Sequence, residues 1–95
     1  MIKSYDKELL TEDLQSGEKI YLFFRSSGCG PCKRIEPAIE KVANDFDDIF
    51  YIIESNEARD LQQQVGVVGY PTLSIVKGEK VIYNALGERK IMELL

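Results

Sequence analysis

The chain has 95 residues, with 12 Lys and Arg against 16 Asp and Glu, no histidine, and a formal charge of −4. At ~100–200 residues per domain this is one domain over residues 1–95, and 44% apolar with 29% charged residues is an ordinary soluble composition. The missing histidine excludes Ser-His-Asp and Cys-His nucleophilic sites and every imidazole metal site, and an acidic balance without a Lys/Arg-rich stripe speaks against nucleic acid.

The start, Met1-Ile2-Lys3-Ser4-Tyr5-Asp6, lacks an apolar signal region. No stretch approaches the ~20 apolar residues of a membrane span, so the expected location is cytoplasmic and away from membranes. Ile2 to Ser4 reads as a short strand, and Asp6 to Gln15 carries Leu9, Leu10 and Leu14 at helical spacing before a stop at Ser16-Gly17. Ile20 to Phe24 is short, apolar and aromatic, as suits a strand buried on both faces. Ile35, Ala38, Ile39, Val42 and Phe46 then recur at mostly three- and four-residue steps, which predicts an amphipathic helix from Cys32 to about Asp45, bent by Pro37. Ile49 to Ile53 is a second buried strand, followed by a polar helix from about Asn56 to Gln64 and a loop from Gly66 to Pro71. Thr72 to Val76 and Val81 to Leu86 flank the turn Lys77-Gly78-Glu79-Lys80 and predict a hairpin; Ile91, Leu94 and Leu95 suggest a closing helix. The alternation describes an α/β fold, a central mixed β-sheet with helices on both faces, whose first half is a right-handed βαβ unit.

Both cysteines lie in Cys29-Gly30-Pro31-Cys32, between a buried strand and a helix. A disulfide closing so short a loop removes little chain entropy and is a poor staple. The first helical turn offers unpaired amide N–H groups and the positive end of the macrodipole, and both stabilise an anion. Cys29, at the N-cap or first position, is therefore the expected thiolate nucleophile. Three residues along a helix return Cys32 to the same face, within reach of Cys29. The implied cycle begins with Cys29 attacking a target disulfide, after which Cys32 resolves the mixed disulfide. Pro31 fits a first turn, where its missing N–H costs nothing, and Gly30 permits close approach of a partner backbone. Two blander readings stand beside this one. A CxxC is half a zinc site, but completing it here takes a second chain; two inert core cysteines are the other, although a Gly-Pro helix entry is a poor core position.

With these residues in view the chain resembles the thioredoxin family, from about Glu18 to the C-terminus. Cys29-Gly30-Pro31-Cys32-Lys33, Pro37 five residues past the second cysteine, Gly69-Tyr70-Pro71-Thr72 and Gly87 match family features in order and spacing. The resemblance implies a thioredoxin-like fold and reduction of protein disulfides with no bound cofactor or metal. It implies recharging by an NADPH-linked thioredoxin reductase, a cis Pro71, and target binding along the Tyr70 backbone by strand addition. Gly30, Pro31, Tyr70, Pro71 and Gly87 would form the docking surface of a monomer. For Tyr70-Pro71 and Gly87 ordinary turns are the plain alternatives. Two other functions compete: a glutaredoxin-like reductant recharged by glutathione, and a partner-docking module or dedicated electron donor.

The departures are as informative. Gly28 and Arg25 stand where the family usually has Trp, and Phe23 stands where it commonly has a buried Asp that moves the resolving thiol's proton. The Lys that often pairs with that Asp falls at Ile52 or Glu54, depending on the direction of counting. The expectation is that Cys32 gives its proton to water or to the leaving thiolate, with a resolving step that is slower or differently pH-dependent. Glu36, one turn beyond Cys32, is a substitute acceptor in principle, although helix carboxylates usually face solvent. Arg25, Ser26 and Ser27 are candidate supports for the Cys29 thiolate, more plainly read as solvated loop residues, and Lys33 is expected to be exposed.

Overall fold

The computed structural model describes residues 2–95. In chain order the elements are β1 (Ile2–Ser4), α1 (Lys7–Gln15), β2 (Lys19–Arg25), α2 (Gly30–Asp45), β3 (Ile49–Glu54), α3 (Arg59–Val65), β4 (Thr72–Lys77), β5 (Lys80–Leu86) and α4 (Glu88–Leu94). The strands form one sheet in the order β1-β3-β2-β4-β5. β1 and β2 both run parallel to β3, whereas β4 is antiparallel to β2 and to β5. This is the mixed sheet that the alternation of patterns predicts.

Because successive strand residues point to opposite faces, β2 supplies both halves of the core. Ile20, Leu22 and Phe24 join Tyr51, Ile53 and Val76 beneath Leu10 of α1 and Val65 of α3. Phe23 joins Phe50, Leu73 and Ala85 beneath Ile35, Ile39 and Ala43 of α2 and Ile91 of α4. Helices therefore cover both faces. Among the described residues, no helix is long and apolar enough to cross a membrane.

α1 begins where Asp6, its N-cap, accepts the Leu9 N–H at 3.0 Å, satisfying an otherwise orphaned amide. The helix placed by sequence at Asn56 starts later, at Arg59. The delay has a local cause: Glu57 turns its carboxylate back onto the Glu54 N–H at 2.9 Å, and Ala58 adopts a left-handed φ of 49°. α3 ends at Gly66, φ +85°, where the Gly66 and Val67 amides both donate to the Gln62 carbonyl, at 3.0 and 2.9 Å. Glycine suits this left-handed cap because it has no Cβ to clash. α2 starts at Gly30, two residues before the predicted Cys32, and holds Pro37 within it.

Candidate redox site

β2 ends at Arg25, and Ser26, Ser27 and Gly28 turn the chain into α2. Cys29 is the N-cap of α2, with extended backbone angles, and its Sγ accepts the Cys32 N–H at 3.2 Å. This is one of the first-turn amides without an intrahelical partner. A disulfide joins Cys29 to Cys32 across a Cα–Cα distance of 5.3 Å. The two cysteines differ in burial: Cys29 is partly exposed whereas Cys32 is completely buried. Pro31 occupies the first turn, and Gly30 beside it is exposed.

The other predicted site residues come to the same end of the sheet. Thr72 at the start of β4 pairs with Phe24 near the end of β2, and Leu86 at the end of β5 pairs with Thr72. Tyr70, Pro71 and Gly87 therefore flank the strand ends from which the cysteine segment departs. The Tyr70–Pro71 peptide is cis, as the resemblance implies. Pro71 is buried and Tyr70 partly so.

Sequence reasoning missed Gln62. Its side-chain oxygen accepts the Tyr70 hydroxyl, while its amide nitrogen donates to the carbonyls of Ser55 at 3.1 Å and Glu57 at 2.7 Å. Only 7% exposed, it ties α3, the turn before it and the Tyr70 loop together. A glutamine in a polar helix carries no signal of such a role.

The charged residues near the site are placed by strand register. Phe23 pairs with Ile52 across β2 and β3, and Arg25 pairs with Glu54. Phe23 is fully buried and Ile52 packs against the same cluster, so this pair brings no charge to that face of the sheet. Two residues further on, Arg25 reaches Glu54 at 3.2 Å and Glu36 of α2 at 3.7 Å. Arg25 is thus committed to two carboxylates, and Glu36, with 24% of its side chain exposed, does not face open solvent as helix carboxylates usually do. Lys33 is exposed as expected. Arg34 clamps Glu88 at 2.9 Å and thereby joins α2 to α4 beside Gly87. No pattern in the sequence announces this pair.

A dithiol that closes to a disulfide at a helix entrance, one cysteine partly exposed and the other buried, is built to exchange electrons with other disulfides. Comparison with known proteins agrees. The family model described as Thioredoxin matches residues 2–95. Thioredoxin from Chlorobaculum thiosulfatiphilum is 36% identical over 84 residues, covering 86% of this chain and 78% of its own. Thioredoxin-2 from Saccharomyces cerevisiae is 40% identical over 76 residues, covering 78% and 73%. Among solved structures, thioredoxin f from spinach chloroplast, short form, superposes with a TM-score of 0.83 at 25% identity, over 98% of this chain and 88% of that one. These matches do not favour the glutathione-linked or docking-module readings. With a family match across the described chain and a redox-active Cys29-Cys32 pair at the expected helix entrance, this thiol-disulfide oxidoreductase belongs to the thioredoxin family.

Proposed function

We propose that the protein reduces protein disulfides in the cytoplasm, with Cys29 as attacking thiolate and Cys32 as resolving thiol. The observation that carries the assignment is the asymmetry of the pair: Cys29 is the partly exposed N-cap residue whose Sγ accepts the Cys32 amide at 3.2 Å, and Cys32 is fully buried. Unpaired amides and the helix dipole favour negative charge at Cys29 over Cys32. In the first step the Cys29 thiolate attacks one sulfur of the target disulfide, forming a mixed disulfide and releasing the other target sulfur as a thiolate. In the second, Cys32 loses its proton and attacks Cys29, which re-forms the internal disulfide and frees the second target sulfur. Two electrons pass to the target, and the oxidised pair is then recharged.

Gly30, Pro31, Tyr70, Pro71 and Gly87 are the proposed docking surface, on which an extended target segment adds along the Tyr70 backbone. An NADPH-linked thioredoxin reductase is the proposed electron source, giving the protein a part in electron transport and cell redox homeostasis. Residues 1–95 act as one domain and as a monomer in this reading, since both cysteines and all five docking residues come from one chain. Supplying NADPH with thioredoxin reductase, or alternatively glutathione with its reductase, and following reduction of a protein disulfide tests the proposal. Turnover with the first system alone supports it; turnover with glutathione alone overturns it. Cys32→Ser should trap targets on Cys29, and adducts held through Cys32 in Cys29→Ser alone would reverse the roles.

A further inference from the structure

We propose that Glu36 is the proton acceptor for Cys32 in the resolving step, held in place by Arg25. The inference rests on the assignment of Cys32 as resolving thiol. That thiol is fully buried, so its proton needs a base nearer than bulk water. The strands offer none on the adjoining face, where Phe23 and Ile52 stand opposite each other.

A carboxylate arrives instead from the helix. Glu36 follows Cys32 by four residues in α2, a spacing that places side chains ~5–6 Å apart on one face. That face turns toward the sheet, because the Glu36 carboxylate meets Arg25 from the end of β2 at 3.7 Å. Arg25 is held in turn by Glu54 at the end of β3, at 3.2 Å. The charged groups meeting at this point are thus Arg25 from β2, Glu54 from β3 and Glu36 from α2, with the Glu57 carboxylate folded back onto the Glu54 amide at 2.9 Å.

Of the two ion pairs that Arg25 makes, the shorter is with Glu54, so Glu36 is the more loosely held carboxylate. Arg25 Nε lies 3.7 Å from Glu36, and it is buried without a hydrogen-bond partner. The contact therefore positions Glu36 without consuming a carboxylate lone pair.

Cys32 Sγ–H gives its proton to the Glu36 carboxylate, and the resulting thiolate attacks Cys29 Sγ. The Cys29–Cys32 bond forms as the Cys29–target bond breaks, and the electron pair leaves on the target sulfur, which takes up a proton as Glu36 releases its own. Arg25 acts as a positioning residue, since it touches the acceptor and not the sulfurs.

The test is a rapid-mixing measurement on the reduced protein with a peptide disulfide carrying a fluorophore, timing mixed-disulfide formation and target release separately from pH 5 to 9. Glu36→Gln should leave formation unchanged and slow release roughly a hundredfold near pH 7, the lower end of what a positioned base contributes. The mixed disulfide should accumulate, and the pH profile of release should change shape while that of formation does not. Glu36→Asp should recover part of the rate, and Glu40→Gln, an exposed carboxylate on the same helix, should behave as wild type. Release from Glu36→Gln at the wild-type rate across the pH range overturns the proposal. Failure of the reduced protein to form a mixed disulfide through Cys29 overturns instead the role assignment on which it rests.

Discussion

The Gly87 amide donates a hydrogen bond to the carbonyl of Pro71 at 2.9 Å. Two residues of the proposed docking surface are therefore fastened to each other at the open end of the β4–β5 hairpin. Gly87 has φ +92° and ψ 158°, a region essentially reserved for glycine. A Cβ there would meet no atom within 4 Å, so any penalty is conformational and not steric crowding. Gly87→Ala should lower stability by about 1–3 kcal/mol in a denaturant titration with unchanged slope. A loss below a few tenths would show that the backbone relaxes freely.

Gln62 holds Tyr70 from behind. In Gln62→Ala the Tyr70 hydroxyl and the Ser55 and Glu57 carbonyls lose their partner, which should cost about 1–3 kcal/mol. Tyr70 would then have to be ordered when a protein target binds, at about 0.5–1.5 kcal/mol, or roughly two- to tenfold in KM. Reduction of a small aromatic disulfide, which needs no such surface, should be unaffected. Equal effects on both substrates would mean that Gln62 matters only to folding.

Phe23 and Ile52 are neighbours on one face of the sheet. Phe23→Ala should destabilise by about 3–5 kcal/mol, and Phe23→Asp by more, because it buries a carboxylate without a partner. Adding Ile52→Lys to Phe23→Asp should recover part of the loss. If the double variant is no more stable than Phe23→Asp alone, the register does not place these side chains together.

α1 is pinned to the sheet by a titratable cluster. The Tyr51 hydroxyl donates to Asp13 at 2.5 Å and Lys3 lies 3.0 Å from the same carboxylate. The Tyr51 hydrogen bond foremost, with Lys3 adding to it against burial, holds the Asp13 carboxyl below its ordinary 3.8. A carboxyl depressed in the folded state contributes stability above its unfolded value, and this is lost as pH falls from about 4 through the folded value. Burial first, then Asp13, pushes the Tyr51 hydroxyl up from 10.0. Its contribution is complete below pH ~10 and is lost above it. Asp13→Asn should therefore flatten the acid limb of a Tm-against-pH curve, and Tyr51→Phe the alkaline limb. Curves parallel to wild type would contradict the cluster.

The parts legible in the sequence are those whose physics is local. Cys29, Pro31 and Cys32 declare a helix entrance because the spacing alone places the sulfurs, and the apolar runs around Phe23 and Phe50 declare buried strands. Gly69-Tyr70-Pro71-Thr72 was legible through resemblance. What stayed hidden depends on register and helical phase. Arg25 reads as a loop cation until β2 and β3 are aligned and Glu54 falls opposite it. Glu36 reads as a solvated helix residue until α2 is laid on that face. The late start of α3 follows from Glu57 folding back on Glu54, a competition between side chain and backbone that periodicity does not see.

Disulfide exchange at the mouth of α2 requires the Cys29 sulfur to be an anion there. Alkylation of the reduced protein across a pH series, with the modified cysteine located by mass spectrometry, reads this directly. Cys29 should react first, with a midpoint well below the ~8.5 of a free thiol, while Cys32 stays protected. Modification of Cys32 ahead of Cys29, or a Cys29 midpoint at that of free cysteine, would contradict it.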